Sequence, residues 1–388
     1  MRVLILLVGL ISLPIFAVTT QLSEQEFALL THSYQQHSPK MSAPQVRSKL
    51  LEEQFLLLQA EQSQPHLTTR LSAVGFSTEY HVQRYLIDLI QYSQLSIPQP
   101  TLPNELTTRY NTAWLTKLLG PYPANGQLSA AITQTLQNTH IEVGSHILNV
   151  YHLYDRLSMQ SRFKLHQGDS AYFHAEMRNY LHYLHIADQT ATFAKHGLSL
   201  THLTDVAIAV IVSPTMRAYL GVGEMMHLHS PVLETIAAQL TMSQINEFYK
   251  NNKEEFRFHS AVNAYGVVFS DHPTALRFHK QATSQGFAAA RDAFKQTDIF
   301  AVYQNQLNRT DSRNNWLIQS AFNLPEQTLS SVIRTPKGQW LVVQTGHKTE
   351  SYYPAQSETV RYLATQSLAK QHAEARYQLA KSQWLQAL

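Results

Sequence analysis

Cysteine is absent from all 388 residues. Its absence excludes disulfides, any thiol chemistry and a lipid-anchored cysteine behind a leader. Charge is also scarce: Asp, Glu, Lys and Arg make up 15% of the chain, against about a quarter in a typical soluble protein. The formal net charge is +3, with no basic block and no acidic tail, so nothing points to nucleic acid as a partner. No Gly-x-Ser-x-Gly elbow and no His-Glu-x-x-His motif occurs, which removes the usual signatures of a serine hydrolase or a zinc peptidase. Gly221-Val-Gly223 is too short for a nucleotide loop and lies in a helical context.

Long apolar runs are missing as well, except at the start. Arg2 gives a minimal positive region, Val3–Leu13 is apolar apart from Gly9 and Ser12, and Pro14 breaks it before Ile15-Phe16-Ala17. This is the pattern of an export signal cleaved after Ala17. The competing reading, an uncleaved anchor, meets a run shorter than the roughly 20 residues a spanning helix needs. The longest later run, Val206–Val212, is only of buried-helix size. The expectation is a soluble protein of the periplasm, held together by core packing alone. A hydrophobic fraction of 44% suffices for that core, and the length suits two or three domains.

Residues 18–240 read as a helical region. Ser42-Ala-Pro44 opens a segment in which Val46, Leu50, Leu51, Phe55 and Leu58 recur at helical spacing, with proline where its missing N–H costs nothing. Tyr80–Tyr92 repeats the pattern. Pro98, Pro100 and Pro103 mark one link and Pro121–Gly126 a second. Ser145–His166 and Ser170–Ala194 then read as two long helices, the second stopped by Gly197. Thr241-Met-Ser-Gln244 has the form of a capping box. After it the pattern changes. Val262–Phe269 reads as a strand, Pro273–Gln285 and Phe287–Lys295 as helices parted by Gly286, and Ser331–Arg334 with Trp340–Thr345 as a hairpin turning at Thr335-Pro-Lys-Gly338. Gln356–Leu388 reads as one long amphipathic helix that packs back on the helical region.

This order of elements resembles the SurA-, PpiD- and PrsA-like parvulin prolyl isomerases and chaperones. Thr241–Phe256 is similar to the family's lead-in helix, Ala264-Tyr-Gly-Val-Val268 to its first strand (Ala-x-His-Ile-Leu), and Gly286-Phe-Ala-Ala-Ala290 to its Gly-x-x-Phe-x-x-Leu-Ala helix start. Ser331–Val343 resembles its closing hairpin, which ends Gly-x-His-Ile-Ile. Ser23–Glu61 is similar to its N-terminal chaperone helices and Pro354–Leu388 to its C-terminal helix, while residues 62–198 match nothing. The resemblance implies an α+β protein in which a predominantly helical chaperone-like region carries an inserted parvulin-like α/β module and a long C-terminal helix. The corresponding boundaries are a signal at 1–17, the helical region at 18–240, a lead-in helix at 241–256, the parvulin-like domain at 257–350 and the closing helix at 351–388.

The resemblance breaks at the catalytic positions. The family is thought to shape its proline groove with two strand histidines; here Gly266 and Trp340 occupy those places. Rotation about an X–Pro bond faces a barrier of roughly 20 kcal/mol but needs no nucleophile, metal or cofactor, so loss of both histidines removes a polar framework without proving inactivity. A residual substrate groove would use Phe269, Trp316, Phe322, Thr335 and Trp340. The bland alternative is that these are core aromatics and a turn threonine.

Of the 20 histidines, eleven fall between His140 and His229. His174, Glu176, His182 and His185 are the candidates for a metal site, His182 and His185 sharing a helix face; His227 and His229 would share one only in an extended segment. The alternative to metal binding is a solvated helical surface. Met225, Met226, Tyr180 and Tyr183 could supply exposed aromatic and methionine surface for unfolded clients, although at helical spacing such residues are more often core. The expected function is that of a periplasmic folding factor binding unfolded or proline-containing exported polypeptides, without a cofactor and with isomerase activity weak or lost. The rival is an envelope assembly or metal-handling accessory protein using the histidine-rich helices.

Overall fold

The computed structural model describes residues 21–388 apart from positions 94, 96 and 226–228. The leader expected at Val3–Leu13 with its cleavage site at Ala17 therefore lies outside the described residues, as do Met226 and His227. The protein is α+β, mostly helical with small antiparallel sheets. It divides into two compact units: residues up to Ile236 together with Lys370–Leu388, and Ala237–Ala369. Among the described residues no helix is long and apolar enough to cross a membrane.

The first unit is built on α1 (Glu24–His37), α2 (Ala43–Ser63), α3 (Thr78–Ile90) and α11 (Leu200–Tyr219). Each starts where the sequence supplies a cap. Ser23 and Glu26 close a capping box on α1, Ser42 and Gln45 on α2 with Pro44 in its first turn, and the Ser77 hydroxyl accepts from the Tyr80 amide. Val46 and Leu50 of α2, Leu86 and Leu89 of α3 and Leu203 and Val206 of α11 recur at helical spacing and bury together. Further along, Phe55, Leu56 and Ala60 meet Val212 and Met216. The end of the last helix, α17 (Glu358–Gln386), brings Tyr377 and Trp384 onto Phe55, with ring centroids 5.8 and 5.7 Å away.

Between α3 and α11 run α4 (Asn104–Arg109), α5 (Thr112–Leu119), α6 (Ala130–Asn138), a hairpin of β1 (His140–Val143) and β2 (His146–Asn149), α7 (Val150–Asp155), α8 (Met159–His166), α9 (Ser170–Asp188) and α10 (Thr190–Lys195). Two expectations are corrected here. Ser145–His166 is not one helix: residues 146–149 are a strand because His140-Ile-Glu-Val and His146-Ile-Leu-Asn pair across Gly144 at φ +61°. Asn149 then caps α7, and Ser158 restarts the chain as α8. Likewise Ser170–Ala194 breaks at Gln189 into α9 and α10, before Gly197 at φ +71° ends the run.

Arg156, at the C-terminus of α7, is buried with Glu176 of α9. The guanidinium donates to Gln83 Oε1 at 2.5 Å and to the Glu176 carbonyl at 3.3 Å, and lies 3.5 Å from the Glu176 carboxylate. The Tyr180 ring lies under it, 4.6 Å from centroid to Cζ. Tyr80 donates to the other Glu176 oxygen at 3.2 Å.

The second unit holds α13 (Met242–Asn251), capped by the Thr241–Gln244 box, and a sheet. The sheet is antiparallel in the order β4 (Gln306–Asn308), β3 (Arg257–Phe269), β6 (Trp340–Tyr352), β5 (Ile333–Arg334). β3 and β6 are longer than their apolar cores suggested, because Arg257–His259 pair with Glu350–Tyr352 beyond a bulge at Ser260. α14 (His272–Gln285) and α15 (Phe287–Ala293) cover one face through Phe278 and Phe287, and α16 (Trp316–Asn323) covers the other through Ile318 and Phe322.

Removing one partner of a buried ion pair strands the other charge. Arg156→Met should therefore cost about 3–5 kcal/mol of stability, read as a lowered midpoint in urea unfolding. The double replacement Arg156→Met, Glu176→Leu should cost clearly less than the single one.

Candidate functional site

The position that the family resemblance assigns to a catalytic histidine, Gly266, is buried beneath another residue. A Cβ built on Gly266 would lie 2.7 Å from Phe300 Cε2 and 3.0 Å from Ile299 Cγ1. The Phe300 ring, 1% exposed, thus occupies the volume above the strand that a side chain at 266 would need. Asp298 holds the ring there. Its carboxylate accepts from the Gly266 amide at 2.9 Å, from the Phe300 amide at 3.0 Å and from the Asn305 side chain. The Ile299 amide returns a bond to the Gly266 carbonyl at 2.8 Å. With the Ala264 amide bonded to the Asn305 carbonyl and the Ala264 carbonyl to the Asn305 side chain, the loop pairs the backbone groups of both Ala264 and Gly266. Asp298, Phe300 and Asn305 were not singled out from sequence. The one available signal was an isolated aspartate two residues before a phenylalanine, the spacing of a side-chain-capped turn.

The second position, Trp340, falls on the other side of the sheet. Gly266 pairs with Val343 and Phe269 with Trp340. Strand alternation therefore puts Gly266 with Leu341 and Val343, and Trp340 with Val267, Phe269 and Val342. The residues proposed for a groove divide in the same way. Trp316 and Phe322 pack on the Gly266 face, whereas Phe269 and Trp340 pack on the α14–α15 face, where the Trp340 ring lies tilted against His272 with centroids 4.2 Å apart. Thr335 is buried in the hairpin turn, where its hydroxyl accepts from the Gln339 amide at 3.1 Å. The five residues do not surround a common space.

The metal candidates are also apart. His174 Nε2 lies 2.9 Å from the Tyr110 carbonyl, and Glu176 is committed to Arg156 and Tyr80. The His185 ring lies tilted beside His146, which contacts Asp188 at 3.1 Å. Burial, and then the neighbouring His185, lower the pKa of His182. Among the described residues no group of three or more His, Asp or Glu side chains is arranged to hold a metal ion. Tyr180 is half-buried against Arg156 and Tyr183 is half-buried beside Tyr180, while Met225 is 43% exposed.

Open space lies instead in the helical unit. A cleft of about 1110 Å³ is walled by the C-terminal end of α11, the N-terminal half of α12 (Pro231–Gln239) and residues 370–375 of α17. Gly221 makes this shape. At φ +79° it ends α11, its amide donating to the Ala218 carbonyl and that of Val222 to the Arg217 carbonyl, the double bond of a Schellman turn. A Cβ there would come within 2.5 Å of Leu233 Cγ, so only glycine lets α12 dock. The Ser230 hydroxyl ties α12 in place, donating to the Tyr219 carbonyl at 2.6 Å and accepting from the Leu233 amide. Val222, Met225, Leu233 and Ala375 give the cleft apolar lining.

A smaller cavity of about 450 Å³ shares Gly223 and Glu224 with the cleft and is lined by Tyr34, Lys49, Glu52, Glu53 and Arg217. Pro214 lies inside α11 here and has no N–H to give the Val210 carbonyl. Glu52 accepts from Arg217 and, at 2.6 Å, from Tyr377, with Lys381 3.6 Å away. Burial alone would raise its pKa, but these donors outweigh burial and lower it. Glu53 is raised, chiefly by burial, although Tyr34 donates to it at 2.6 Å and Lys49 lies 3.4 Å away. Tyr34 is pushed well above the ordinary tyrosine value, first by its own burial and then by Glu53.

Two outcomes follow from this geometry. Gly266→Ala should cost about 1–3 kcal/mol by overpacking, and Phe300→Leu in the same chain should recover part of that loss in thermal unfolding. A raised folded-state pKa contributes stability that is present below the ordinary glutamate value of 4.5 and is lost as the pH rises through the folded value. Glu53→Gln should therefore raise the melting temperature at pH 7 and flatten its fall as the pH rises above 4.5.

No family model and no curated protein sequence matches the chain. Among solved structures it is similar to the foldase protein PrsA of Streptococcus pneumoniae, at 17% identity and a TM-score of 0.22, over 52% of this chain and 69% of that one. It is also similar to the PrsA foldase of Lactococcus lactis, at 12% identity and a TM-score of 0.20, over 73% and 90% of the respective chains. Scores this low decide neither fold nor activity.

Proposed function

We propose that the protein is a folding factor of the cell envelope that holds apolar segments of unfolded exported polypeptides in the cleft of its helical unit. The observation that carries this reading is the contrast between the two units. The sheet module has its histidine-equivalent position filled by Phe300, whereas the helical unit keeps a cleft of about 1110 Å³ with apolar lining. A space of that size is slightly larger than a typical small-molecule site, and exposed methionine adapts to varied partners. Met225 supplies such a side chain at the cleft itself.

The energetics suit transient holding. Seating one large apolar side chain contributes about 1.5–3 kcal/mol, and ordering an unfolded segment offsets much of what several such contacts supply. Micromolar, rapidly reversible binding is the result a holding chaperone needs. Prolyl isomerase activity is lost in this reading, because a twisted amide needs placed hydrogen bonds in a water-excluded groove. The Gly266 face is packed with core and Trp340 belongs to the other face. Export to the periplasm rests on the leader sequence alone. The metal-handling alternative has no converging ligand set in its favour among the described residues.

The mature protein should suppress aggregation of an unfolded outer-membrane client, read by light scattering, and Leu233→Asp or the exposed-site change Met225→Asp should abolish most of that suppression. A protease-coupled proline assay should give the uncatalysed rate. A rate above it that vanishes in Trp316→Ala or Phe322→Ala would refute the loss of catalysis and leave the holding function to be judged by the scattering result.

A further inference from the structure

Charge is sparse in this chain and slightly positive overall, yet the cleft is acidic. Glu224, Glu234 and Glu374 line it, and Lys370 is the one lysine or arginine among its lining residues. Lys370 is taken up by Glu224 at 3.0 Å. Glu374 has a neutral partner, accepting from the Gln378 amide at 2.7 Å, and among the described residues no cation stands within salt-bridge distance of Glu234 or Glu374. In the adjoining cavity Glu52 and Glu53 are matched by Arg217 and Lys49, so the surplus negative charge belongs to the larger cleft. Each acid is also the chain neighbour of an apolar lining residue: Glu224 of Met225, Glu234 of Leu233 and Glu374 of Ala375.

From this complementarity we infer that the cleft selects extended polypeptide segments in which an apolar residue is followed or preceded, within one to three positions, by lysine or arginine. The inference rests on the reading of the cleft as a client site and names the class of client. Apolar side chains go to the floor formed by Val222 and Leu233, and their basic neighbours meet Glu234 and Glu374 at the rim. Rim charges of this kind are exposed, so they tune affinity modestly, act largely on the association rate, and are screened by salt.

The test uses the mature full chain and three fluorescent peptides with one apolar core, flanked by lysine, glutamine or glutamate, in anisotropy titrations at low salt. The lysine peptide should bind about fivefold more tightly than the glutamate peptide, with the gap closing near 0.5 M salt, where the screening length falls to about 4 Å. Glu234→Gln with Glu374→Gln should narrow the gap at low salt. Equal affinities for all three peptides would overturn the charge preference and leave the client reading standing. No binding by any peptide would overturn both. A concentration-dependent dimer that peptides cannot displace would assign the cleft to a second copy of the chain, and would overturn the inference as well.

Discussion

Glu52 is the residue on which the architecture of the helical unit turns. One carboxylate accepts from Arg217 of α11 and Tyr377 of α17 and lies near Lys381. It thereby ties together three helices that are far apart in sequence. A half-exposed ion pair contributes little by itself. Three donors converging on one carboxylate, beside the packing of Tyr377 and Trp384 on Phe55, fix the azimuth of the last helix. That azimuth presents Lys370, Gln371, Glu374 and Ala375 to the cleft. The opposite wall depends on Gly221, since any side chain there would push Leu233 and α12 away. The cleft is thus a product of tertiary constraint, with no local motif of its own.

The sheet module is governed by the opposite circumstance. A strand glycine normally weakens a sheet because it has nothing to pack. At Gly266 the missing side chain is replaced by the Phe300 ring, delivered by a loop that Asp298 and Asn305 pin to the strand. Glycine at 266 and phenylalanine at 300 are therefore one packing solution, and a polar side chain at 266 would have to evict the ring. The strand, the two helices and the hairpin read from the sequence occur in that order, and the space above Gly266 is filled by core.

How far the sequence could be read follows from the range of each determinant. Helix starts were legible because Ser42, Thr241 and their N3 partners act within one turn. The strand, two helices and hairpin after Arg257 were legible from period and from Gly286 and Gly338. The β1–β2 hairpin was not, because two strands of four residues, His-Ile-Glu-Val and His-Ile-Leu-Asn, are too short to show a period distinct from the helices around them. The pairing of Gly266 with Trp340 as two parts of one site was not tested by spacing either. Motif matching ignores strand parity, and the observed register separates them onto opposite faces. The cleft was beyond reach for a different reason. Its walls come from residues near 220, 233 and 372, and no local pattern announces that they meet.

The low charge content makes the acidic cleft more informative than it would be elsewhere. In a chain with dense mixed charge, two unmatched glutamates on a rim would be lost among compensating neighbours. Here nearby acids with cations at hand are paired: Glu52 with Arg217, Glu176 with Arg156, Glu350 with Arg257. Glu234 and Glu374 are exposed on the rim of an apolar cleft whose one lysine is taken up by Glu224. An unpaired exposed carboxylate costs the fold almost nothing, so it is free to serve as a contact for an incoming segment. The rim can therefore tune recognition without weakening the helical scaffold that holds the cleft open.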